Sequence, residues 1–218
     1  MTAPPNFDRI ARSYQMLEYL TLGRWLERTR LYFLPRLHSA RNALVLGDGD
    51  GRFLAEWLAA NPGLHATAID TSATMLELLR KRCTPYADRL RTLQIDALDF
   101  APHGDAQYDL VVSHFFLDCM TEAQVSELVG RLAPALRSQA LWLFSDFQIP
   151  KGTLRVPASA IVRTLYLTFR LLTGLRVTRL PDHAAIFVRT GFERIERQQF
   201  LDGFLTTELW QTVSESKR

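Results

Sequence analysis

The chain has 218 residues, 47% of them apolar and 22% charged, with a formal charge of +3. That is enough apolar material for a sizeable core in a single domain spanning 1–218, and no repeat or low-complexity segment marks a boundary inside it. The cations are scattered rather than gathered into a tract, so nucleic acid is not an expected partner. Cys83 and Cys119 belong to no CxxC or Cys/His cluster, so neither a metal site nor a disulfide framework is expected.

The opening MTAPPNFDRIARSY places prolines, an acid and arginines where a secretory signal needs an unbroken apolar stretch. The most apolar late segment, 157–175, is interrupted by Arg163 and Arg170, which argues against a membrane span. A soluble, cytoplasmic protein is the expectation.

In chain order, Phe7, Ile10, Tyr14 and Leu17, then Leu22, Trp25 and Leu26, recur at helical spacing and predict two helices separated near Gly23. ALVLG predicts a strand ending in glycine. The following helix carries Phe53, Leu54, Trp57 and Leu58 and stops at Asn61, Pro62 and Gly63. HATAID is a strand, SATMLELLRKRC a helix opened by a Ser72 cap, and RTLQID and YDLVVSHF two further strands. TEAQVSELVGRLAPAL is a helix from a Thr121 cap, and ALWLFSDF a fifth strand apolar enough for burial on both faces. After Pro150 a long helical insert breaks the alternation. DHAAIFVRTGF is then a short helix, and ERIERQQF and FLTTELWQ form an antiparallel hairpin through Asp202 and Gly203 that closes one sheet edge. Strands separated by helices imply right-handed crossovers and a mostly parallel sheet.

The chemistry is concentrated where strands end. Gly47, Gly49 and Gly51 fall where the first strand becomes a helix, letting the backbone turn sharply and approach a ligand. A dinucleotide fingerprint would read GxGxxG; Arg52 follows Gly51, so the motif is GxGxG and an NAD-dependent reductase is disfavoured. Asp70 ends the second strand, where it can accept both hydroxyls of a ribose. Asp96 follows the third strand, where it can accept from an adenine amino group.

Together these positions resemble the class I S-adenosylmethionine methyltransferases. NFDRIARSY and IDTSATML are similar to the ubiquinone/menaquinone methyltransferase branch. The resemblance implies an α/β, doubly wound, Rossmann-like seven-stranded, mostly parallel sheet. An antiparallel last strand, N-terminal helices and a helical insert at about 150–181, after the fifth strand, complete it. It also implies S-adenosylmethionine as cofactor, lined by Tyr14, Gly47, Gly49, Gly51, Asp70, Met75, Asp96 and Ala97, with Ser113 and His114 at the end of the fourth strand. The chain departs from the family at Val45, where an acid commonly helps hold the methionine ammonium. Asp48 or Asp50 can stand in for it, or serve only to fix the turn.

His114 and Asp118 lie in SHFFLDCM, where a methyl acceptor would approach, and are the catalytic candidates, as a base or to orient a hydroxyl. His114 alternatively only walls the cofactor pocket. His183 is read as a cap or surface residue. The expected reaction is in-line methyl transfer to a small hydrophobic or aromatic molecule, with the receiving atom left open among oxygen, nitrogen and carbon. The alternative is a non-catalytic S-adenosylmethionine-binding protein with a regulatory or scaffolding role. The insert is read as a lid presenting Tyr166 or Phe169 to the acceptor, against a homodimer or membrane-surface contact.

Overall fold

Helices α1 (Trp25–Leu31), α2 (Arg52–Ala60), α3 (Ala73–Arg82), α4 (Glu122–Leu132), α5 (Arg155–Thr173) and α6 (His183–Arg189) flank seven strands. These are β1 (Asn42–Leu46), β2 (His65–Asp70), β3 (Leu90–Gln94), β4 (Tyr108–His114), β5 (Leu136–Phe147), β6 (Phe192–Phe200) and β7 (Leu205–Thr212). The computed structural model describes residues 22, 24–102, 107–150, 152, 153, 155–173, 177 and 179–213, with the backbone alone at 165, 166 and 168–173. The earlier of the two N-terminal helices, with Tyr14, lies outside those residues, as do the side chains of Tyr166 and Phe169.

The strands make one sheet in the order β3-β2-β1-β4-β5-β7-β6. β1 to β5 run parallel, and β7 runs antiparallel to both its neighbours. This is the Rossmann-like architecture the sequence predicts, with one difference at the hairpin. β7 is interior and β6 alone forms the edge. The link is also not a two-residue Asp-Gly turn, because Leu201, Asp202 and Gly203 all take positive φ, at 51°, 54° and 89°. An interior β7 has to bury Glu208, and the edge strand makes that tolerable: Arg194 and Arg197 reach its carboxylate at 3.3 and 3.1 Å.

Side-chain alternation sorts the strands between two layers. Leu44 and Leu46 face α4 and α6, packing with Leu128, Val129 and Phe187. Ala43 and Val45 face the other side with Phe53 and Trp57 of α2 and Leu79 of α3. Each fully buried leucine or phenylalanine on either face contributes about 1.5–3 kcal/mol from burial.

Local signals fix the helix starts. Ser72 Oγ accepts from Met75 N–H at 3.1 Å, and Thr121 with Gln124 closes a capping box ahead of α4. The helix expected within the insert is present as α5. It packs through Ala158 and Val162 in a third cluster with Leu26, Phe200, Phe204 and Leu205. Among the described residues no helix is long and apolar enough to cross a membrane.

Candidate functional site

The parallel order β3-β2-β1-β4-β5 brings five strand ends to one edge of the sheet. Residues that follow those ends therefore stand in a row although they are up to a hundred positions apart in sequence. At β1 the chain leaves through Gly47, whose N–H donates to the Ile69 carbonyl at 3.0 Å. Gly47 has φ +61°, and a Cβ there would lie 2.3 Å from the Phe116 ring, so only glycine fits. Gly49 is different: it also has φ +61°, but a Cβ would meet nothing nearer than Met75 Sδ at 4.0 Å. The loop is thus closed against Phe116 at one end and open above Gly49, with Met75 at the rim. Gly51, also at positive φ, leads into α2.

The two loop acids have separate fates. Asp50 accepts from Arg52 Nε at 3.0 Å and from Arg82 at 2.8 Å, while Arg82 Nε also donates to the Asp50 carbonyl at 2.9 Å. Asp50 is therefore committed to a clamp between the loop and α3, which corrects the expectation that it could stand in for the acid missing at Val45. Asp48 remains. Its Oδ2 accepts the Leu54 N–H at 3.1 Å, so it fixes the start of α2. Little of it is open to solvent, and burial pushes its carboxyl up to about 7 against the lowering effects of the Leu54 bond, Arg30 and Arg52. Val45 is buried on the face shared with Phe53.

Asp70 Oδ1 accepts the Ser72 N–H at 2.8 Å, and Asp96 Oδ1 accepts the Leu98 N–H at 2.9 Å. Each acid fixes its own turn while standing half-buried at the edge, with Ala97 buried behind Asp96. A carboxylate has lone pairs for both tasks. Ser113 points the other way: fully buried, its Oγ accepts from Trp142 Nε1 at 2.9 Å, so its side chain serves the core.

His114 ends a buried chain of hydroxyls. Thr207 Oγ1 donates to the Phe144 carbonyl at 3.3 Å, and Ser145 Oγ donates to Thr207 Oγ1 at 2.9 Å. Ser145 Oγ is thereby left to accept from His114 Nδ1 at 2.9 Å. That order makes Nε2 an acceptor, and Nε2 has no hydrogen-bond partner among the described residues. Burial first, and Arg30 second, pull the imidazole well below its usual range, so it is neutral. A histidine so depressed is a weak base and a good acceptor for a ligand N–H or O–H.

Asp118, in the turn after β4, is buried, and burial pushes its carboxyl up to about 6. Of the two catalytic candidates it is the stronger base. Beside it are two residues that sequence reasoning passed over. Asp146, near the end of β5, is buried and held by the Phe147 N–H at 2.8 Å. Its position at a strand end is the signal that picked out Asp70 and Asp96, and the same logic could have found it. His183 was read as a cap or surface residue. In the structure Asp182 is the cap, accepting from Ala185 N–H at 3.0 Å, and His183 is buried with Nε2 3.4 Å from Asp146 Oδ2. Arg30, acting on both Asp48 and His114 from α1, was also missed.

Residues 44–141 match the profile of a family described as a methyltransferase domain. A stretch of 114 residues is 25% identical to polyamine aminopropyltransferase 2 of Bacillus anthracis, covering 47% of this chain and 32% of that protein. The fold superposes on mitomycin 7-O-methyltransferase MmcR with a TM-score of 0.71 at 19% identity, over 95% of this chain and 61% of that one. It also superposes on the N-methyltransferase NodS of Bradyrhizobium japonicum in complex with S-adenosyl-l-homocysteine, with a TM-score of 0.62 at 16% identity, over 92% of this chain and 98% of that one. The chain thus spans less than two thirds of the MmcR structure. Residues 44–141 thus match a methyltransferase-domain model, and the chain shares the fold of these methyltransferase structures. The NodS neighbour holds S-adenosyl-l-homocysteine, the demethylated form of S-adenosylmethionine.

The residues present fit that cofactor. The space above Gly49 admits a ligand beside Met75, the His114 Nε2 lone pair is buried and unmatched, and acids follow β2 and β3 where a ribose and an amino group need acceptors.

Proposed function

We propose that this chain transfers a methyl group from S-adenosylmethionine to a small, hydrophobic or aromatic acceptor by in-line displacement. The observation that carries the reading is the row of acceptor groups along one sheet edge, from Asp96 and Asp70 past the glycine loop to His114 and Asp118. Asp70 takes the ribose hydroxyls, Asp96 the adenine amino group, with Met75 and Ala97 against the ring, and Asp48 and His114 the methionine ammonium. Bound in this way, the cofactor supplies a methyl carbon made electrophilic by a positively charged sulfur. The protein's part is to hold an acceptor in line with that sulfur and exclude water.

Acceptor binding falls to the β4 and β5 ends, where Phe115, Cys119 and Phe147 pack on the cluster that includes α5. Apolar walls around Asp118 suit a hydrophobic or aromatic molecule with one polar reacting atom. The motif IDTSATML, with Met75 beside the open glycine, is our reason for placing the chain nearest the ubiquinone/menaquinone branch.

The test is calorimetric binding of S-adenosylhomocysteine, followed by methyl transfer to a panel of phenols, quinols, amines and fatty acids. Binding with turnover of at least one aromatic or hydrophobic acceptor is the expected result. Binding with no turnover at all would favour the non-catalytic reading, which the apolar residue at Val45 keeps in view. Absence of binding would sink both.

A further inference from the structure

Two buried acids are matched by cations: Asp50 has two arginines and Glu208 has two arginines. Among the described residues Asp146 meets no arginine or lysine, although it is only 1% exposed. The groups that act on it are Asp118, whose charge opposes its ionisation, and the backbone N–H groups of Phe147 and Asp118, which donate to its carboxyl. Among the described residues its Oδ2 accepts no hydrogen bond, and it faces His183 Nε2, equally without a hydrogen-bond partner there, at 3.4 Å.

His183 is 8% exposed and neutral, its ring pulled down to about 4 by burial against the raising effects of the Leu117 carbonyl and Asp182. A neutral imidazole nitrogen facing a carboxyl oxygen across a dry contact needs one hydrogen between them, whichever atom carries it. Burial also pushes Asp146 well above the usual carboxylate range, in keeping with that hydrogen. The 117–119 turn packs against β5, whose Ser145 carbonyl accepts the Phe115 N–H at 2.7 Å, so Asp118 and Asp146 act on each other across that contact. Cys119 completes the titratable groups of the cluster; burial first, then the Asp118 and Asp146 charges, hold it as a thiol.

We propose that Asp146 and His183 are positioning residues for Asp118: they share one proton between Oδ2 and Nε2, hold the turn that carries Asp118, and set it to receive the proton of an acceptor methylated on a hydroxyl oxygen or an N–H nitrogen. The inference rests on the methyltransferase reading above and narrows its acceptor class. As the acceptor atom bonds to the methyl carbon, the carbon–sulfur bond breaks with its electron pair kept by sulfur, and the acceptor's proton passes to the Asp118 carboxylate. The products are a methylated acceptor, a neutral thioether and a neutral carboxyl, so charge and protons balance. An acceptor with no hydrogen on its reacting atom has no use for this arrangement.

Two measurements on the full chain with S-adenosylhomocysteine or S-adenosylmethionine decide the matter. Carbon-13 carboxyl NMR follows the titration of Asp118 directly. Asp146→Asn breaks the shared proton and unseats the turn that carries Asp118, so the Asp118 midpoint is displaced. His183→Ala displaces it as well, whereas His183→Gln, whose amide oxygen can accept the same hydrogen, stays near wild type. In turnover of 1-naphthol and 2-phenylethylamine, with N,N-dimethyl-2-phenylethylamine as the acceptor lacking a proton, Asp146→Asn lowers kcat about tenfold, a part of what removing a base costs, and displaces the acid limb of the profile. An Asp118 midpoint that stays put in Asp146→Asn and His183→Ala overturns the proposal. So do variants that lose melting temperature while keeping the wild-type pH profile, or faster turnover of the proton-free amine than of the other two. If S-adenosylhomocysteine does not bind, or no probe is turned over, the methyltransferase reading fails instead, and the carboxyl titration still decides whether the couple exists.

Discussion

Buried acids at the two ends of the same sheet edge are handled in opposite ways. On the cofactor side, Asp50 is held by Arg52 and Arg82, and Asp70 and Asp96 accept backbone N–H groups of their own turns. On the acceptor side, Asp118 and Asp146 stand against each other and beside a neutral histidine. Carboxylates matched by arginine or by backbone N–H groups hold the shape of their turns. Carboxyls buried next to one another cannot both ionise, and a proton remains in the cluster. In the function we propose, the first end grips a ligand and the second exchanges a proton with one.

The sharpest way to break this contrast is Asp118→Asn, which keeps the shape of the turn and removes the base. With an aromatic hydroxyl acceptor it should lower kcat by about 10²-fold or more while leaving S-adenosylhomocysteine affinity unchanged. An equal loss of cofactor affinity would place Asp118 on the wrong side of the comparison. Asp50→Ala tests the other end. Unclamping two partly exposed arginines should cost about 2 kcal/mol of stability, seen as a fall in Tm, near the low end for breaking a buried ion pair because both guanidiniums can reach water.

A smaller effect is expected from Asp70→Asn. The asparagine retains an oxygen for the Ser72 N–H but loses the charge that strengthens bonds from ribose hydroxyls, so calorimetry should show cofactor binding weakened by about 1–2 kcal/mol with little change in Tm. Unchanged affinity would reduce Asp70 to a turn residue.

The smallest effect is a pH slope belonging to Asp48. Its carboxyl is raised from 3.8 to about 7, so between those values the folded chain holds a proton that the unfolded chain has released. Ligand-free stability therefore falls as pH rises across that interval. An ammonium bound beside Asp48 favours the carboxylate, so S-adenosylhomocysteine should bind more tightly as pH rises towards 7 and level off above it, by at most about tenfold per pH unit. Asp48→Asn should flatten both slopes. A slope that survives the substitution would assign it to another group.

Elements were legible where one local signal sufficed. ALVLG, HATAID and YDLVVSHF became strands because their apolar runs bury on both faces, and SATMLELLRKRC became a helix because Ser72 caps it. The glycine loop was legible for the same reason, since three glycines between a strand and a helix have few other uses, and the acids at 70 and 96 follow from where their strands stop. Asp50 misled because an arginine 32 positions away in sequence binds it. The partner of Ser113 was not legible either, because strand parity aims its hydroxyl at Trp142 in the core.

The sequence by itself therefore determined the strands, the helix caps, the glycine turn and the acids that follow strand ends, all of which depend on residues within a turn or two of one another. Tertiary structure alone decided which distant groups the buried acids and histidines meet. Arg30 reaches Asp48 and His114 from a helix before the sheet, Glu208 is matched by arginines across the hairpin, and His183 comes from beyond α5 to face Asp146. Ionisation in a protein interior depends on burial and on the nearest charges, and neither quantity exists until the chain has folded.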